Sequence, residues 1–379
     1  MDKKKLLISI ISLVSSLILF FVLVYIFNSK GFVGWFRTEY LGLIAIIALS
    51  LLFIAVFVFG FIYLSKKIFA RTSFILSIIG LVASISITTI LTVGSITPSI
   101  NNTLNIYHSN DGYLKEETNI NIAVASDSHY GASSSSSEAR HNIMNNINGN
   151  YDLFIHGGDV VDLGSNKNYL KEAIEDMSSY LNNQKMSFVM GNHDALINAE
   201  KPFKQLFLDG DNLNRVLNVA PKVHIVIFNM IWDYSEVTRQ DMKWLENTLK
   251  EFTEDDCVIV QSHSYYFATG GKIAMAKWYD IDNTIKYITP VFEKYHVDLV
   301  ISGHIHTMEL MENNGVYYSL TGPFGGSRYD DNSIKTKANS YFLNGTDYGY
   351  SSYHIHDGQI DISYLNEHGN TLYNQSISY

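Results

Sequence analysis

The chain has 379 residues and a formal net charge of −10, enough for one large domain or two smaller ones. Residues 1–72 hold eight Lys/Arg against Asp2 and Glu39, a net of +6, which leaves −16 for the rest. So acidic a body is a poor partner for nucleic acid, whose binding rests on many phosphate contacts, although bound metal cations would let it take small anions. The single cysteine, Cys257 in an apolar run, excludes an intrachain disulfide and reads as a buried, inert thiol.

Three uncharged apolar runs come first, at 6–27, 41–64 and 74–96, with lengths of 22, 24 and 23 residues. Each is long enough to cross a bilayer as a helix. The first is too long for a signal-peptide core and no small-x-small site follows it, so it reads as a retained anchor. Lys3, Lys4 and Lys5 precede the first run, and Lys66, Lys67 and Arg71 lie between the second and third. The positive-inside rule then puts the N-terminus in the cytoplasm and everything after residue 96 outside the cell. The reading is a multi-pass membrane domain over 1–96. It carries no intramembrane charge of the kind transport would need.

Residues 97–118 are polar and aperiodic and read as a linker. From 119 to 379 short apolar runs alternate with helical stretches. The pattern predicts strands at 121–125, 153–156, 187–190, 223–228, 258–261 and 298–302. It predicts helices at 136–147, 168–182, 240–252 and 284–295. In the third helix Met242, Leu245 and Leu249 share a face. This alternation is that of an α/β domain. The serine run 133–137 reads as a flexible loop tip. Near the C-terminus Asp357-Gly358 signals a hairpin between 350–356 and 359–365. His354 and His356, two apart on its first strand, read as one exposed or cross-strand face rather than a site.

Five polar turns each end an apolar run. They are Asp127-Ser128-His129, Gly158-Asp159-Val160-Val161-Asp162, Gly191-Asn192-His193-Asp194, Ser262-His263 and Gly303-His304-Ile305-His306. In open α/β sheets, sites form outside the carboxyl ends of strands, so the fold can bring all five together. Asp127, His129, Asp159, Asn192, His263, His304 and His306 make seven donors, too many for one ion. Two ions sharing a carboxylate would use them all. Carboxylate with imidazole suits Mn, Fe or Zn rather than Ca or Mg, and paired ions are a recognised arrangement for displacement at phosphorus. On extended backbone, the one-residue spacers of Asp127/His129 and His304/His306 point both side chains the same way. His156, inside its strand, reads as a satisfied strand residue rather than a ligand.

In order, the motifs DxH, GDxxD, GNHD, a lone His and GHxH resemble the pattern of the calcineurin-like metallophosphoesterases, over roughly residues 119–325. The resemblance implies a β-sandwich flanked by helices, in layers α/β/β/α, behind the three transmembrane helices. It implies that Asp127, His129, Asp159 and His306 hold one metal, and that a bridging Asp159 with Asn192, His263 and His304 holds the other. A bridging hydroxide would attack phosphorus in line, His193 would protonate the leaving group, and Asp194 would orient or charge-stabilise His193. Asp162 would support the turn. The family's lone histidine is often followed by proline. Here the loop runs His263-Ser264-Tyr265-Tyr266, which makes Tyr265 and Tyr266 candidate specificity residues. Arg328 is a candidate phosphate contact, since guanidinium forks suit phosphate oxygens, although a surface arginine is the plainer reading. A purple acid phosphatase would need a tyrosine ligand where Asp162 stands, so no such chromophore is expected.

The expected protein is a membrane-anchored, outward-facing phosphohydrolase, either phosphatase or phosphodiesterase. It would act on a small phosphorylated substrate with two divalent or trivalent transition-metal ions. Two alternatives remain: an inactive sensor or interaction domain on the same scaffold, whose mark would be a lost metal ligand, and a nuclease, which predicts a basic groove.

Overall fold

In the computed structural model the described residues are 86, 89, 90, 93–273 and 276–379. The chain divides into two units at Ser95 and Ile96, and almost all described residues lie in the second, Ile96–Tyr379. The expected spans at 6–27 and 41–64, and most of 74–96, lie outside the described residues. Among the described residues no helix is long and apolar enough to cross a membrane.

The second unit begins with β1 (Asn119–Ala125), α1 (Ser137–Ile147), β2 (Leu153–His156), α2 (Lys167–Tyr180) and β3 (Met186–Phe188). The short helices α3 (Asn192–Ala195) and α4 (Glu200–Phe207) follow, then β4 (Arg215–Ala220), β5 (Val223–Ile227), α5 (Arg239–Leu249) and β6 (Cys257–Gln261). Next come β7 (Gly271–Ile273), β8 (Ala276–Trp278), α6 (Asp282–Tyr287), α7 (Thr289–Lys294) and β9 (Leu299–Ser302). The chain ends on six strands: β10 (Met308–Asn313), β11 (Val316–Leu320), β12 (Asn339–Asn344), β13 (Gly349–His356), β14 (Gln359–Asn366) and β15 (Thr371–Ser378).

They form two large sheets, ordered β15-β14-β13-β1-β2-β3 and β12-β10-β11-β9-β6-β5-β4, with β7 and β8 as a separate pair. Alternation along the strands decides the layers. In β1, Ile120, Ile122 and Val124 meet Ile225, Ile259 and Leu299 of the second sheet in a shared core, while Ala123 and Ala125 face the other way, under Ile143, Met144 and Met177 of α1 and α2. On the far side Val258, Val260 and Val300 pack beneath Leu245, Leu249 and Phe292 of α5 and α7. The result is a mixed α/β fold of two sheets with helices outside each. Cys257 lies fully buried in the central core, and burial pushes its thiol well above the usual range. Arg215 of β4 ties the two sheets at their ends by donating to the Phe188 carbonyl (2.6 Å) and Ser187 Oγ (3.0 Å).

Three expectations are corrected. The helix expected over 284–295 is two, α6 and α7, because Pro290 in the first turn of α7 lacks the N–H that would bond the Lys286 carbonyl and continue α6. Residues 97–118 do not behave as a linker. Tyr107 is buried, its hydroxyl donates to Asn218 O (2.9 Å), and Leu114 N donates to Val219 O (2.9 Å). The serine run is an ordered entry to α1, where Ser136 accepts from Ala139 N as the N-cap. Among the described residues, the strands missed in the sequence include the hairpin β10–β11. Its Asn314-Gly315 turn, both residues at positive φ, is a signal the sequence does carry.

Candidate metal centre

The five polar turns leave the carboxyl ends of β1, β2, β3, β6 and β9, which run parallel within their sheets. Five of the candidate ligands sit in left-handed backbone: Asp127 (φ 63°), His129 (43°), Asp159 (52°), His304 (70°) and His306 (59°). This corrects the extended geometry expected for the one-residue spacers. Each such residue costs about 1 kcal/mol, a strain that persists only where surrounding structure imposes it and that clusters at functional sites.

All seven donors come together. Ligand atoms of Asp127, His129 and His306 lie within 4.8 Å of one another, as do those of Asp159, His263 and His304. Asp159 joins the two groups, with Oδ2 3.6 Å from His129 Nε2 and 3.4 Å from His263 Nε2. Its other oxygen accepts from the His193 backbone N–H at 2.8 Å. Asn192 Oδ1 lies 3.2 Å from His263 Nε2.

Backbone carbonyls aim the rings. His263 Nδ1–H donates to Gly157 O (2.9 Å), His306 Nδ1–H to Ser327 O (2.5 Å) and His193 Nδ1–H to Asp162 O (2.7 Å). Each bond turns Nε2 away from its carbonyl, and for His263 and His306 Nε2 faces the other ligands. His304 turns Nδ1 inward instead, 3.2 Å from His263 Nε2. His129 Nε2 and His306 Nε2 also face each other at 3.2 Å. Asp127 Oδ1, fully buried, has no hydrogen-bond partner and lies 3.4 Å from His306 Nε2. A buried carboxylate oxygen without a hydrogen-bond donor, among imidazole nitrogens brought to 3.2–3.4 Å of one another or of it, is a donor set that fits cations.

Charge follows the same logic. Burial works against ionising Asp159, yet the His263 imidazole beside it holds its carboxyl well below the usual range. Burial would lower His263, and the Asp159 charge overrides it and lifts it to about 9. Burial, aided by the charge on His263, keeps His304 well below its ordinary value, and burial also lowers His306. His156 is pushed down to about 3 by burial. It is satisfied by Ser128 Oγ at 2.9 Å, as a strand residue rather than a ligand.

Several expected roles move. Asp194 does not touch the His193 ring. Its carboxylate accepts from Gly191 N (2.9 Å) and Val161 N (3.1 Å), so it braces the turn, and burial followed by the Asp159 charge pushes it up to about 7. The His193 ring is held by Asp162, through the carbonyl and a carboxylate oxygen 3.6 Å away. Tyr265 and Tyr266 are buried, not presented to a substrate; Tyr265 stacks on His304 with ring centres 5.9 Å apart. Arg328 donates to Thr346 O (2.7 Å) and lies over the Tyr348 ring (4.7 Å), on the wall of a cleft of about 440 Å³. Two residues went unpredicted. Trp232 meets His304 edge-on at 5.0 Å, and Trp278 stacks on it at 5.5 Å. Trp232 follows the end of β5, so the strand-end rule could have found it; Trp278 comes from β8, which no motif marks.

The family model of the calcineurin-like phosphoesterases matches residues 120–308. A search of curated proteins finds no match. Among solved structures, the chain is similar to the purple acid phosphatase PPD1 of yellow lupin (Lupinus luteus) seeds, with a TM-score of 0.60 and 15% identity. That match covers 70% of this chain and 55% of the lupin chain, so this chain spans little more than half of that relative. It is also similar to GAP50, the anchor in the inner membrane complex of Plasmodium, with a TM-score of 0.54 and 16% identity over 69% of this chain and 89% of that one. These likenesses speak for the fold. The family match itself covers the residues that build the centre, and it identifies 120–308 as a calcineurin-like metallophosphoesterase domain.

Proposed function

We propose that residues 119–379 form a hydrolase that cleaves the phosphoester of a small substrate, as a phosphatase or a phosphodiesterase. The observation that carries this reading is the convergence of seven donors from five strand ends, among them Asp127 with a buried oxygen that has no hydrogen-bond partner. Asp127, His129, Asp159 and His306 would hold one transition-metal ion, and Asp159, Asn192, His263 and His304 a second, of the Mn, Fe or Zn type. When bound, the pair would offset charge on the phosphoryl oxygens and lower the pKa of a water molecule.

The chain's own residues supply the rest. The His193 amide holds one oxygen of Asp159 so that the other faces both groups of ligands. The His193 ring, 33% exposed and 4.6 Å from that of His129, presents Nε2 because Nδ1 is engaged by Asp162. From there it can pass a proton to the leaving oxygen. Trp232 and Trp278 flank His304, which favours a substrate with a planar or apolar group beside the phosphate. Nucleic acid is disfavoured by the acidic body. The runs at 6–27, 41–64 and 74–96 anchor the domain in the cell membrane, with the N-terminus cytoplasmic and the domain outside. Their length and the placement of Lys/Arg support this.

The test loads the purified full chain with Mn, Fe or Zn and screens phosphomonoesters, phosphodiesters and pyrophosphates. Turnover on one class, lost together with bound metal in Asp159→Ala, is the expected result. Full metal occupancy with no turnover on any class would instead favour a sensor on this scaffold.

A further inference from the structure

The sequence treats His354 and His356 as one face of a strand, but the structure adds a carboxylate to them. Asp361 of β14 is paired directly across from His354 of β13, and ligand atoms of His354, His356 and Asp361 lie within 4.8 Å of one another. Asp361 Oδ2 is 2.9 Å from His356 Nε2 and 3.9 Å from His354 Nδ1. The imidazoles stack, with ring centres 4.3 Å apart.

The surrounding groups are arranged as outer partners of ligands. Asn119 Oδ1 lies 3.0 Å from His354 Nε2 and has only acceptor character, so it takes the Nε2–H and leaves Nδ1 bare towards Asp361. Asp357 Oδ2 lies 3.5 Å from His356 Nδ1, on the outer side of that ring. Ser376 Oγ donates to Asp361 Oδ1, which leaves Oδ2 to face the imidazoles. Two imidazole nitrogens and a carboxylate oxygen thus converge, and a bound cation would take the place of the proton that His356 Nε2 shares with Asp361 Oδ2.

We propose that His354, His356 and Asp361 form a second, separate binding site for a divalent cation of the zinc class. Two imidazoles and one carboxylate are a zinc donor set, and a tetrahedral ion with bonds near 2.0–2.1 Å needs donor separations of about 3.3 Å. The 2.9 and 3.9 Å separations bracket that value, so small side-chain rotations complete the site. All three ligands are partly exposed, leaving room for water as the fourth ligand. The site lies at the start of β1, beside Asn119. Asp127 follows the other end of that strand, so roughly 20 Å of strand separates the two centres. The ion would clamp β13 to β14 without touching the phosphoesterase centre.

Zinc binding to the full chain is measured by equilibrium dialysis and calorimetry. Wild type is expected to bind one zinc equivalent per chain more than the double variant His354→Ala/His356→Ala. Asp159→Ala is expected to retain that equivalent while losing metal at the inner centre. Equal zinc stoichiometry in wild type and double variant would overturn the proposal. Should circular dichroism show the double variant unfolded, Asp361→Asn decides. It preserves side-chain shape, and the outer equivalent should bind at least about tenfold more weakly; unchanged affinity there would equally overturn it.

Discussion

His193 and His263 lie in the same cluster but are held in opposite ways, as their proposed tasks require. His193 keeps a partly exposed ring whose Nδ1 is fixed by Asp162, while its amide is bound to Asp159. His193→Ala should therefore lower kcat by about 10²–10⁴ with bound metal unchanged, the loss growing with the pKa of the leaving group. A fall in metal content would move His193 from proton donor to ligand. His263 is wholly buried, and Asp159 raises its pKa to about 9 in the metal-free fold. A raised imidazole pKa stabilises the fold fully below about 6.5, its unfolded value, and that contribution fades as pH rises through 9. A metal ligand must be neutral, so metal must displace this proton. Calorimetric titration in buffers of different ionisation enthalpy should show one proton released from this site per chain between pH 7 and 8.5, and none from it above pH 10. Release that does not change across this range would refute the assignment.

At the scale of elements, the turns rather than the strands make the site. Strands β1, β2, β3, β6 and β9 bring their ends to one place, but ligand direction comes from the left-handed residues after them. Gly191 shows how little room remains. Its φ of −97° is open to any residue, so it is not needed for the bend of the chain. It is needed because a Cβ there would lie 2.1 Å from Asp159 Oδ1 and 2.2 Å from Asp159 N. Gly191→Ala should push Asp159 off both groups of ligands and cut metal binding as severely as Asp159→Ala does. The check is metal content after gel filtration, and full occupancy would contradict the packing. Asp194 belongs to the same brace. In Asp194→Ala two buried amides, those of Gly191 and Val161, lose their acceptor. A loss of about 3 kcal/mol is expected from two unsatisfied donors, read as a lowered Tm in the metal-free protein.

At the scale of the whole second unit, the two sheets share one core and carry the candidate metal centre at one end of their parallel strands. The acidic body and the basic, apolar first 96 residues face different solvents in the proposed topology. Protease added outside intact cells should then digest residues beyond 96 and spare the N-terminus. Full protection of the domain would reverse the orientation.

The residues themselves disclosed the candidate ligands and the alternation of the fold. Asp/His turns after apolar runs are legible because a strand buried on both faces reads as a continuous apolar run and its polar end stands out. The Asp357-Gly358 hairpin was legible because the turn demands positive φ. What only the tertiary structure decided is the partner of each group. That Asp194 binds amides while Asp162 holds His193, that Tyr265 and Tyr266 are buried, and that Trp232 and Trp278 close on His304 all depend on contacts between segments far apart in the chain. Local periodicity reports which face of an element is apolar. It carries no information on which of two neighbouring carboxylates reaches a given ring, because that is set by how the sheets pack.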